Sequence, residues 1–282
     1  MLATPPVSHW RRQDGGGGSG GNATRFLAAY CLLPTAYCRV AASAPNLFIE
    51  QRPSEAGDPF DGLRIFAFSP NFANPAASTF NQVSAADLAL SAFDGRAPTS
   101  RNAIEQPGTT VGLDPLFGPL MFKLAYRNLG TFGSPVNSYV LNFTVNVGGV
   151  TPTNAATYQA GIRWVELRRD AAGVMSVLQQ GTQANSPATP AGGTNTWLGS
   201  IAQDNQGNTV LGYTTSGTTA PDFPSIRYAG RLASDPAGQL AQGQTDGFLG
   251  TGHQAGAGNR WGDYSAMNVD PTDDCSFWYT QE

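Results

Sequence analysis

The chain has 282 residues, a formal net charge of −4 and a pI near 5.1. Charged residues make up 13% of it, against roughly a quarter in an average globular domain, while 34 Gly and 20 Pro supply turns without reaching the level of a disordered chain. This balance points to an all-β chain of extracellular style and excludes the basic footprint that a nucleic-acid or anionic-membrane partner requires.

The length fits one large all-β unit or two ordinary domains. No window reaches the ~18 consecutive apolar residues of a membrane helix. Residues 1–59 read as a poorly ordered, glycine-rich leader. Its run Gly15-Gly16-Gly17-Gly18-Ser19-Gly20-Gly21 has linker composition. Arg25, the apolar stretch 26–33 and the small residues 41–44 have the outline of a degraded export signal, interrupted by Pro34 and Arg39. A misplaced start explains the same features. The three cysteines, Cys31, Cys38 and Cys275, leave an odd thiol, so a Cys31–Cys38 bond stays open and Cys275 reads as a small buried hydrophobe.

From residue 60 onward the pattern is that of strands. Residues 63–68 alternate, 70–79 form a loop, and 83–93 hold one or two poorly capped helical turns. Residues 120–126, 139–147, 161–167 and 174–180 are further strands, and 225–232 follows the next pair. Two hairpins stand out. In one, Trp197 to Asp204 leads through a turn to Thr209–Thr214; in the other, Tyr264 to Val269 leads through Asp270, Pro271, Asp273 and Asp274 to Phe277-Trp278-Tyr279-Thr280. Pro and Asp between the strands are turn chemistry.

These segments repeat. Asp204 stands nine residues before Tyr213, as Asp270 does before Tyr279. Ile162-Arg163-Trp164 and Ile226-Arg227-Tyr228 are 64 residues apart, and Asp204 and Asp270 are 66 apart. Two markers at nearly one spacing indicate a recurring unit of about 65 residues with about four strands, the style of a propeller blade. The expected fold is therefore all-β, a partial propeller of about two and a half to three four-stranded blades over residues 60–282, with fewer blades than closure needs. Such a chain leaves strand edges that the remaining blades of a parent propeller would pair.

Five stretches in order carry a family resemblance: Leu120-Met121-Phe122-Lys123-Leu124-Ala125-Tyr126-Arg127-Asn128, Ile162-Arg163-Trp164-Val165-Glu166-Leu167-Arg168, Trp197-Leu198-Gly199-Ser200-Ile201-Ala202-Gln203-Asp204, Pro224-Ser225-Ile226-Arg227-Tyr228-Ala229-Gly230-Arg231, and Arg260-Trp261-Gly262-Asp263-Tyr264 with Phe277-Trp278-Tyr279-Thr280. Over residues 60–282 the chain resembles a sialidase-like β-propeller region of large secreted or surface proteins of bacteria. The resemblance implies a fold and an extracellular setting more than a reaction. It departs from true sialidases at Asp204-Asn205-Gln206-Gly207-Asn208-Thr209-Val210, which lacks the Trp of their Asp-box turn and has one residue too many between Asp and Gly.

Sialidase-type hydrolysis requires arginines gripping a carboxylate, a Tyr–Glu nucleophile couple and an acid carboxylate, because guanidinium forks match carboxylate geometry beside an oxocarbenium-like transition state. Arg163, Arg227 and Arg260 are candidates for the grip; Tyr264, Tyr279, Asp263 and Glu166 are candidates for the other roles. The competing reading makes Arg163 and Arg227 equivalent structural positions of two units. Trp164, Trp197, Trp261 and Trp278 are candidates for a sugar platform, with blade core as the alternative for all four. Asp270, Asp273 and Asp274 are candidates for Ca²⁺, against an ordinary solvated turn. His9 and His253 share no ligand-spaced cluster, and no Ser-His-Asp set is supported. The expected function is a secreted or cell-surface, non-catalytic scaffold and binding module for a protein or a glycan, without cofactor. The alternatives are an exo-acting glycoside hydrolase of sialidase type, and a fragment with no independent function.

Overall fold

In the computed structural model, residues 45–131, 134–185, 193–256 and 258–282 are described. The glycine run, His9, Cys31 and Cys38 lie outside them. The described residues form fourteen strands and three single 3-10 turns. Strands β1 (Asn46–Arg52), β2 (Gly62–Ser69) and β3 (Thr79–Gln82) pair in that order, and the short β4 (Leu88–Ala89) also joins β2. The second sheet is a meander of β5 (Ala125–Asn128), β6 (Asn137–Asn146), β7 (Ala160–Arg169) and β8 (Met175–Gln183). The third repeats that meander with β9 (Asn195–Gln203), β10 (Thr209–Ser216), β11 (Ser225–Arg231) and β12 (Gln244–Phe248). The fourth is the hairpin of β13 (Ser265–Val269) and β14 (Phe277–Gln281). All pairings between these strands are antiparallel, and no sheet closes on itself among the described residues.

Side chains alternate across a strand, so each inner sheet presents two faces, and here both are covered. Leu141, Phe143, Val145, Val165 and Leu167 meet Leu63 and Ile65 of the first sheet. On the opposite face Val140, Ile162 and Trp164 meet Ile201, Leu211 and Tyr213 of the third. The far face of the third sheet packs Ala202 and Val210 on Met267 and Phe277 of the fourth. The sheets thus lie face to face in chain order. This double cover explains why every residue of β9 and β10 is buried. Each fully buried Leu, Ile or Val in these layers contributes about 1.5–3 kcal/mol of transfer free energy.

The meander sorts the connections by end. The connections after β5, β7, β9, β11 and β13 share one end, the one after β11 being the long segment 232–243; here Arg127 forms an ion pair with Asp274 and donates from Nε to Gln203 O. The loops 147–159, 217–224 and 249–264 leave the other end, together with the irregular segment 90–124. There Gln106 bonds the backbone of Gln254 in both directions, and Ser216 Oγ donates to Glu105 O.

Several expectations change. Residues 83–93 make no helix: Val83 N donates to Ile65 O and residues 88–89 are extended on β2, because β2 offers a ladder that a poorly capped turn cannot match. The segment expected as a strand over 120–126 joins the ladder regularly only from Ala125; before that only Leu120 and Met121 touch β6. Strand β1 lies within the stretch read as leader, and its seven residues pair with β2, so ordered structure starts well before residue 60. The repeat has a physical meaning. Arg163 and Arg227 fall on the third strands of successive meanders, while Asp204 and Asp270 close the first strands of the third and fourth sheets.

Candidate functional site

A cleft of about 470 Å³ opens between the first and second sheets, on the side of the long loops. Its floor is built by Asp61, which precedes β2 and is only 8% exposed. One carboxylate oxygen of Asp61 accepts from Ser54 N at 2.7 Å and the other from Phe93 N at 2.9 Å, so a single side chain pins two irregular segments. Arg163 enters from β7, opposite Phe143 and Thr182 on the neighbouring strands. Its Nη1 donates to Gln180 Oε1 at 3.1 Å and its Nη2 to Ala92 O at 2.9 Å, with the guanidinium 5.9 Å from the centre of the Phe93 ring. Nε has no partner, although Arg163 is 9% exposed. Burial pulls the Arg163 pKa below its ordinary value, and the Asp61 carboxylate opposes that pull. At the side of the cleft Asp94 takes a bidentate pair from Arg96 and a bond from Asn146 Nδ2.

The arginines expected to converge do not share a partner. Arg227 pairs with Asp246 on β12 at 3.0 Å, and Arg260 pairs with Asp263 within its own loop. Arg163 and Arg227 each face the preceding sheet from the same strand of successive units, so a whole sheet spacing of about 10 Å separates their layers. Tyr264 is exposed. Tyr279 is half-buried with its ring against Gly212, its hydroxyl donates to Gln281 Oε1 at 2.5 Å, and burial raises its pKa. Glu166 is 1% exposed between the second and third sheets, where it accepts from Ser138 Oγ, Gln179 Nε2 and Gln203 Nε2 and pairs with Arg168. This is a satisfied buried network joining two sheets.

The aromatic platform is likewise redistributed. Trp164 and Trp197 are within 1% of full burial, because they fill the layers between sheets and beneath the loops, and so cannot face a ligand. Trp261 packs against the Trp197 cluster and donates Nε1 to Thr214 Oγ1, while Trp278 is exposed and donates to Asp270. In the acidic turn, the Asp270 oxygens accept from Thr272 N and Trp278 Nε1, and Asp273 accepts from Cys275 N, Ser276 N and Ser276 Oγ. Asp274 pairs with Arg127. The turn's own donors thus engage the oxygens a cation would need, and among the described residues no group of three His, Cys, Asp or Glu gathers around one point. His253 is exposed in the loop 249–264, and Cys275, expected as a buried hydrophobe, is instead an exposed free thiol because it sits in the β13–β14 turn.

Sequence reasoning missed Asp61, beside the stretch read as a domain boundary, Phe93, at the end of the stretch read as a helix, and Asp94 just after it. It also missed a third member of the turn series. Asn128 closes β5 as Asp204 closes β9 and Asp270 closes β13, each Oδ1 accepting from the backbone two residues on, at Gly130, Gln206 and Thr272. A search for Asn as well as Asp after each first strand finds it. No protein-family model, curated protein or solved structure matches this chain.

Proposed function

We propose that this chain is a segment of a sialidase-like β-propeller, exported to the cell surface or secreted, that serves as a non-catalytic scaffold and takes a protein or glycan ligand at its loop-bearing end. The observation that carries the reading is the difference between the two ends. Asx-type turns close the connections after β5, β9 and β13 at one end, whereas the loops at the other are cross-linked by side chains over long chain distances, as Gln106 is to Gln254, and ligand contacts concentrate on loops held by a rigid scaffold. The propeller part of the reading draws support from successive four-stranded meanders packed face to face. Against the hydrolase alternative, Arg163, Arg227 and Arg260 each hold a separate local partner, whereas a carboxylate grip requires them to converge.

The test uses the full chain on a glycan array and with fluorogenic sialosides. Binding without turnover is expected. Replacing the exposed Tyr264, the last residue of the loop 249–264, with Ala should weaken that binding, while replacing the exposed Val174 at the turn end with Ser should not. Turnover of the sialosides, or equal sensitivity at both ends, would overturn the proposal.

A further inference from the structure

Among the described residues β14 pairs with β13 alone, and its other edge carries no strand. The hydrogen bonds say which groups that edge presents. Asp270 N donates to Ser276 O, and Met267 N turns away from the hairpin to Ser200 Oγ. In the antiparallel alternation Trp278 and Thr280 therefore bond β13, while the backbone N–H and C=O groups of Phe277, Tyr279 and Gln281 point outward. Such a row of unpaired groups is a template for another strand.

The repeat shows where that strand would lie. Tyr213 follows Asp204 by nine residues, as Tyr279 follows Asp270, so β10 stands at the position of β14 in the preceding unit. There Leu211 and Tyr213 are opposite Ala229 and Arg227 of β11. Beneath the open edge of β14 the third sheet runs on for two more strands, β11 and β12. Gly212, under the Tyr279 ring, is level with Tyr228, so Ile226 and Tyr228 face the layer of the fourth sheet, and Phe248, opposite Ile226, extends the same surface. Ile226 is half-buried and Phe248 is 57% exposed. The charged pair of these strands, Arg227 and Asp246, lies on the opposite face. An open ladder edge thus adjoins an uncovered apolar shelf. A second copy of the chain does not fit it. Two β14 edges joined antiparallel about a two-fold axis would put both third sheets in one layer, and each already extends about 10 Å, two strand spacings, past β14.

We propose that the β14 edge docks an extended peptide segment of a partner protein, which adds antiparallel to β14 as a third strand and lays uncharged side chains on Ile226 and Phe248. The ladder supplies affinity, and the shelf selects apolar residues at alternate positions. This site is separate from the loop-bearing end and does not depend on the ligand proposed there.

The experiment adds to the full chain a fluorescent peptide with the sequence of residues 224–232 carrying Arg227→Val, a copy of the strand that pairs with β10. Binding is read by anisotropy and by amide exchange in NMR. The peptide should bind one to one and slow exchange at Phe277, Tyr279 and Gln281 about tenfold or more, while Trp278 and Thr280, already bonded to β13, should change little. The same peptide N-methylated at positions 227 and 229 keeps its side chains but cannot donate to the ladder, and should bind at least about tenfold more weakly, as should the parent peptide to the variant Phe248→Lys. No binding, equal binding of the N-methylated peptide, or protection at another strand edge each overturns the proposal. Protection of the same amides on concentrating the chain alone would make a second copy the occupant and overturn it as well. Glycan binding sensitive to Tyr264→Ala with no peptide binding would remove this site and keep the loop-end reading; peptide binding without any glycan would do the reverse.

Discussion

Gly212 on β10 faces the Tyr279 ring, and a Cβ there would sit 2.7 Å from three of its carbons. The ring is held by the hydroxyl bond to Gln281, so it cannot swing aside freely. Gly212→Ala should cost about 1–3 kcal/mol, as overpacking does, read as a lowered urea midpoint. A second variant, Gly212→Ala with Tyr279→Leu, should recover part of that loss. Asp273 offers a pH prediction. Donation by the Ser276 hydroxyl, then by the backbone N–H groups of Ser276 and Cys275, favours its ionised form and lowers its pKa from 3.8 to about 2. A depressed folded-state value means that its contribution is fully present above the ordinary carboxylate range and is lost as pH falls from 3.8 through about 2. The melting-temperature gap between the parent chain and Asp273→Ala should therefore stay constant above about pH 5 and close toward pH 2. A gap that persists at the acid end would show that the carboxylate acts through packing alone.

At the scale of the element, the three Asx-type turns are the devices that make the meander start again. Asn128 Oδ1 accepts from both Gly130 N and Val136 N at 3.0 Å, which closes the β5–β6 connection. Asn128→Ala takes the acceptor from the amides of half-buried Gly130 and exposed Val136 and should cost about 0.5–1.5 kcal/mol. Amide exchange at Gly130 and Val136 should accelerate in that variant. Asn128→Asp keeps the acceptors and should hold those amides protected; if both variants exchange alike, the side chain is not what closes the turn. Strand β12 shows the limit of pattern reading at this scale. All five of its residues are exposed, so Gln244 to Phe248 carries no apolar alternation, and its place is set by pairing with β11, where Asp246 meets Arg227.

For the whole molecule, the inner sheets are covered on both faces, whereas the outer face of the first sheet is not. Phe66 and Phe80 stack at 5.1 Å, Phe48 meets Phe80 edge-on at 5.6 Å, and Phe48 and Phe80 remain 46% and 55% exposed. Contiguous exposed aromatics promote association. Phe80→Lys should lower self-association in light scattering while costing no more than about 1 kcal/mol, the scale of one cross-strand pair. Association unaffected by the charge would place the sticky surface elsewhere. Much of the architecture is legible from sequence, because strand alternation and turn chemistry act over a few residues. Strands β2, β6, β7, β9, β10 and β11, both late hairpins, and the spacing between equivalent Arg and Asp positions are of this kind. The candidate site is not. Arg163 is bonded to Ala92, 71 residues away in the chain, and Asp61 to Phe93, 32 residues away. The sheet layers decide which arginine lies in a cleft, which tryptophans become core and which carboxylates are already engaged. Local pattern determined the strands and their repetition; only face-to-face packing, which joins residues distant in the chain, decided which of these side chains become core and which border a cleft.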